Sequence, residues 1–190
     1  IIVLQFNSTS KTVVILATVL LSFSGVFFGL TFANMSFVIL MTMMGIISLA
    51  GVVVKNGIVL MDFFVLLLDK RRDELKLETH EDLSMNELVN CIVDAGKSRL
   101  RPVLLTATTA ILGLIPLAIG LNFNFFTFLS HLNPHIYIGG DNVIFWGPLA
   151  WTIIFGLTYA TILTLVMVPV MFYLVSKIKH RRRMKKLASE

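Results

Sequence analysis

The chain has 190 residues, 56% of them hydrophobic and 14% charged, with a mean hydropathy of +0.87. Soluble domains are close to a quarter charged, so this composition excludes an ordinary soluble domain and makes the bilayer the solvent for most of the chain. The formal net charge of +5 does not mark a nucleic-acid binder, because the basic residues lie in short stretches beside long apolar runs.

In chain order, residues 1–6 (IIVLQF) read as the end of a preceding transmembrane helix, so the chain is expected to be a piece of something larger. No charged n-region or cleavage pattern suggests a signal peptide. Four apolar runs follow, at 12–30, 37–68, 103–119 and 143–175. Each meets or approaches the ~20 residues a helix needs to cross hydrocarbon. The second and fourth exceed it, which predicts tilt or helical continuation beyond the membrane. Gly25 and Gly29 form a GxxxG step in the first run, and Gly156 with Ala160 a related step in the last; small residues at this spacing make packing faces between membrane helices.

The stretch 69–101 is the polar connection. SMNE at Ser84–Glu87 fits a capping box, and Leu88, Val89, Ile92, Val93 and Ala95 recur at helical spacing. A short amphipathic helix near 85–97, lying at the inner membrane surface, is the expectation. It carries Cys91, the single cysteine, expected to act as a small apolar residue. Pro102 sits at the mouth of the third run, where a missing N–H does little harm. Pro116 and Pro169 fall inside runs and should bend or loosen them.

The loop 121–142 is rich in aromatics, with Phe123, Phe125, Phe126, Phe128 and Tyr137, as interfacial belts are. His131 and His135 have the spacing of a helical metal pair, but Pro134 interrupts the turn and no Cys or carboxylate cluster joins them. No metal site is expected. The tail 177–190 (with KIKHRRRMKK) is basic and follows a span directly, which reads as a topology anchor meeting anionic lipid. Of the sixteen Lys and Arg, Lys55 lies within a run; the other fifteen fall before the first run, in 69–101, or after the fourth. With four spans these stretches share one side, which the positive-inside rule makes cytoplasmic. The fold class is thus an all-α membrane protein with four transmembrane helices and a short cytoplasmic amphipathic helix, and the loop 121–142 is periplasmic.

Lys55 lies about 4 Å from the centre of its run at 1.5 Å per residue. A lysine there costs ~2.5–3.5 kcal/mol on insertion scales, and left unpaired it would shed its proton. Either it pairs permanently and holds helices together, or the pairing breaks and reforms as a carboxylate gains and loses protons. Buried ion pairs add little stability, since desolvation consumes most of the gain, which favours the second. Asp62, seven residues on, is about 10 Å away along the helix. That is too far for contact but suitable for a cytoplasmic proton path. No other acid occurs within a run, so the partner of Lys55 is expected outside these 190 residues. No nucleophile–base pair or phosphate-binding glycine loop supports an enzyme, and no cofactor is expected.

GVVVKNGIVLMDF (Gly51–Phe63), followed by DAGKSRLRPVLLTATTAILGLIPLAIG (Asp94–Gly120), resembles the resistance-nodulation-division (RND) transporters, most closely the hydrophobe/amphiphile efflux branch. The resemblance runs from QFNS near the start to VPVMFYL in the last run. It implies a fragment of a twelve-helix transporter, with the end of helix eight and then helices nine to twelve. It implies that Lys55, Asn56, Thr106 and Arg99 belong to a proton relay. Lys55 would pair with two aspartates in the absent N-terminal half, and Arg99 would stand at the cytoplasmic entrance of the third helix. It also implies drug/proton antiport in the bacterial inner membrane, a homotrimer, a periplasmic adaptor and an outer-membrane channel. Heavy-metal exporters of that superfamily usually lack the lysine, which counts against metal as cargo. The loop 121–142 is longer and more aromatic than that pattern. Two other readings use the same residues: a non-transporting scaffold that dimerises through its small-residue faces, and a relative exporting lipids or assisting protein secretion.

Overall fold

The computed structural model describes residues 9–76, 85–123 and 136–187. The expected helix end at 1–6, the serine of the capping box, the histidines 131 and 135, and the side chains of the basic tail from 179 onward lie outside the described residues. Four helices carry the structure: α1 (Thr9–Phe32), α2 (Ile39–Glu74), α3 (Met85–Ile119) and α4 (Asp141–Leu187). All four are long and apolar enough to cross a membrane. The protein is an all-α, multi-pass membrane bundle, with one addition. Leu121–Phe123 (β1) and Ile136–Ile138 (β2) pair antiparallel between the end of α3 and the start of α4, in the register Leu121 to Ile138 and Phe123 to Ile136.

The short helix expected near 85–97 and the third apolar run form one continuous helix, α3, with Pro102 and Pro116 inside it. A proline removes one ladder hydrogen bond, and the neighbouring turns carry the helix across that gap.

Helix α4 is the hub and packs against the other three. Its buried stripe runs through Ala150, Ile154, Leu157, Ala160, Thr164, Val168 and Phe172, three or four residues apart. Towards the basic end, Val14, Ile15, Leu60, Met61, Phe64, Ile92, Val168 and Phe172 form one core cluster; midway, Val19, Val26, Leu49, Val53, Ala107, Leu157 and Ala160 form another. In lipid these contacts gain by close van der Waals fit, since the hydrophobic effect gives little preference for protein over acyl chain.

That fit depends on the small residues. A Cβ added at Gly25 would come within 2.3–2.5 Å of Cδ1, Cγ and Cβ of Tyr159, and one at Gly29 would overlap Phe155. At Gly156 it would run into Leu49 and Val26, while Ala160 is buried at 1% exposure. Buried Thr18 and Thr161 turn their hydroxyls back on their own helices: Thr18 donates to the carbonyl of Val14 at 2.9 Å and Thr161 to that of Leu157. That pairs these two hydroxyls within their helices, whereas Thr42 Oγ1 on α2 is buried with no hydrogen-bond partner among the described residues.

At the hairpin, the chain turns at Gly120 with φ +70°, where a side chain would be strained and would also strike Val143. Asn122 donates its amide to the carbonyls of Gly120 and Gly139, and Trp151 Nε1 donates to Ala118 O at 3.1 Å. The first two bonds close the base of the hairpin, and the third ties the end of α3 to α4.

Candidate functional site

Helix α2 buries Met41, Thr42, Gly45, Leu49, Val53, Gly57, Leu60, Met61, Phe64 and Leu68. Their spacing of three and four residues fixes which face meets the bundle. Gly51, Lys55 and Asp62, four and seven residues apart, fall on the opposite face and are exposed, while Asn56 is half-buried at its edge. A Cβ at Gly51 would meet nothing within 4 Å. The site lysine therefore stands on a free ridge of the four-helix unit. Among the described residues neither Lys55 nor Asp62 has a hydrogen bond or ion-pair partner.

Helix α3 is the least enclosed. Only 17% of its most apolar window is buried, against 44% for α1, and its contact stripe is narrow: Val103, Ala107 and Ala118, with Ile111 and Leu114 half-buried. Thr106 is exposed and donates to the carbonyl of Val103 at 3.0 Å. Thr109, on the next turn, is exposed too and donates to Leu105. Both hydroxyls keep their oxygen lone pairs open to a further donor.

Two contacts fix how α2 and α3 run past one another. Arg71 Nη2 approaches Glu87 Oε1 at 3.6 Å, and the Arg99 Cζ lies 4.0 Å from the centroid of the Phe63 ring. Lys55 is eight residues before Phe63, and Thr106 is seven after Arg99. At 1.5 Å per residue these are about 12 Å and about 11 Å, so Lys55 and Thr106 lie at the same depth. Arg99 is half-buried nearer the polar end, and its Nε is enclosed with no hydrogen-bond partner among the described residues.

The structure thus brings Arg99 to α2, sets Thr106 level with Lys55, and leaves Lys55 and Asp62 along one outward ridge. Sequence reasoning missed Phe63 and the Arg71–Glu87 pair. Both contacts depend on the relative register of two helices, which no local pattern carries. Among the described residues no cluster of His, Cys, Asp and Glu could hold a metal ion.

Residues 1–122 match the AcrB/AcrD/AcrF family. The swarming motility protein SwrC of Bacillus subtilis is 34% identical over 140 residues, 74% of this chain and 10% of SwrC. The multidrug resistance protein MdtC of Erwinia tasmaniensis is 30% identical over 144 residues, 76% of this chain and 11% of MdtC. The nickel-cobalt-cadmium resistance protein NccA of Alcaligenes xylosoxydans is 29% identical over 184 residues, 97% of this chain and 14% of NccA. The chain thus spans between a tenth and a seventh of the length of these relatives. No solved structure matches it. A family match over residues 1–122, joined to four membrane-length helices, means that this chain belongs to the AcrB/AcrD/AcrF family of RND proteins.

Proposed function

We propose that the chain is a membrane segment of a proton-driven efflux permease of the hydrophobe/amphiphile branch, corresponding to helices nine to twelve. Lys55 is the fixed cation of its proton relay. A carboxylate pair on a helix outside these 190 residues faces it, Asn56 and Thr106 supply polar groups at the same depth, and Arg99 guards the cytoplasmic end. Asp62 lies on the path between. Protonation of the carboxylates releases the lysine and lets α2 move relative to its neighbours. The charge pair then has two states that both proton and cargo bias.

The observation that carries this reading is the placement of Lys55: at mid-run, level with Thr106, on a face the other three helices leave uncovered. An ammonium there calls for an acidic partner from further protein. The basic stretches are then cytoplasmic, the membrane is the inner one, and the assembled pump is a homotrimer with a periplasmic adaptor and an outer-membrane channel. The cargo is hydrophobic or amphiphilic.

The small-residue faces argue against a dimerising scaffold. Gly25, Gly29 and Gly156 already receive Tyr159, Phe155, Leu49 and Val26 of this same chain. The test is export by the full-length protein carrying Lys55→Ala, with membrane insertion measured in parallel. Insertion at the wild-type level with export abolished is expected. Normal export by the variant would end the relay reading.

A further inference from the structure

Arg99 is held by an aromatic ring. On α2, Arg71 pairs with Glu74 at 2.9 Å and Arg72 with Asp73 at 2.7 Å. Arg99 has no carboxylate among the described residues; its Cζ lies over Phe63, 4.0 Å from the ring centroid. The difference matters chemically. A carboxylate would neutralise the guanidinium and occupy two of its N–H donors. A ring attracts the cation through its π face and accepts none of those donors in the fork geometry. The position of the group is fixed while its charge and donors stay available. Its Nε is enclosed and unpaired among the described residues, so the donors that stay available are those of the two terminal Nη groups.

Phe63 belongs to the helix of Lys55, a little over two turns away, and directly follows Asp62. A rigid displacement of α2 therefore moves the lysine and the ring together. Resting on the relay reading above, we propose that Phe63 is the positioning residue for Arg99. The ring on the lysine helix holds the guanidinium of α3 at the cytoplasmic mouth of the relay, with its terminal Nη N–H groups free to order water, and carries it along when α2 shifts.

A merely structural role for Phe63 needs its bulk, whereas the proposed role needs the negative face of its ring. The full-length protein in proteoliposomes, with mono-, di- and trifluorophenylalanine at position 63, separates the two, because fluorine withdraws the π charge at nearly constant size. Proton-driven turnover is expected to fall stepwise, by about threefold to tenfold at the trifluoro derivative. Phe63→Leu should fall as far, and Phe63→Trp should keep wild-type turnover. In the Phe63→Trp protein, the Raman band of the new indole that reports a cation over the ring is expected to disappear when Arg99→Leu is added. A flat fluorine series, or an indole band indifferent to Arg99→Leu, overturns the proposal. Lys55→Ala measured alongside tells the two readings apart. If that variant is inactive and the fluorine series is flat, only the role of Phe63 falls; if it transports normally, the relay itself falls.

Discussion

The base of the Tyr159 ring in α4 packs against Gly25 in α1 so closely that a single methyl group on Gly25 would stand only 2.3 Å from it. The contact is with the base of the ring, which cannot swing aside as the end of a long side chain can. Gly25→Ala is therefore expected to destabilise the bundle by about 1–3 kcal/mol, the usual range for overpacking. Gly96→Ala, where an added Cβ meets nothing within 4 Å, should be neutral or stabilising by up to about 1 kcal/mol through helix propensity. Thermal unfolding of the two variants in detergent, compared with wild type, measures the difference.

The hairpin end offers a second site-specific expectation. Gly120 combines a left-handed backbone with close approach to Val143, so Gly120→Ala meets strain of about 1–3 kcal/mol before any clash. Trp151→Phe removes the single bond to Ala118 O and should cost less, about 0.5–1.5 kcal/mol. Amide hydrogen exchange at residues 121–123 and 136–138 should speed up markedly in the first variant and only slightly in the second.

Cys91 reports on orientation. It is half-buried beside a crevice lined by Lys70, Arg71, Glu74, Glu87 and Asp94, at the end of the bundle that carries the basic connection. In this chain a membrane-impermeant maleimide should label it in inside-out vesicles and not in right-side-out ones. The opposite pattern would reverse the topology that the basic residues imply.

Much of this fold is legible in the sequence, because four long apolar runs separated by polar or turn-forming stretches leave little choice but four spanning helices. The glycine steps could be seen as packing faces, yet nothing in GxxxG says that Gly25 meets Tyr159 or that Gly156 meets Leu49. Those pairings follow from the crossing of helices distant in sequence. The hairpin escaped notice because each strand is three residues long, too short for alternation to show against an aromatic-rich loop. Pro102 suggested a boundary, whereas α3 runs through it. At the site, Lys55 announces itself as a charge in an apolar run. Phe63 looks like any other lipid-facing aromatic until Arg99 is seen above it.

The relay account ties Lys55 to protons as well as to cargo, and the outward ridge of Lys55 and Asp62 is where that link is exposed to test. Reconstituted full-length protein, wild type and Lys55→Ala, can be followed for proton uptake on addition of a hydrophobic cation substrate under an imposed pH gradient. The account predicts substrate-dependent proton flux in the wild type and none above leak in the variant, at equal amounts of inserted protein. Equal substrate-dependent flux in both would contradict it.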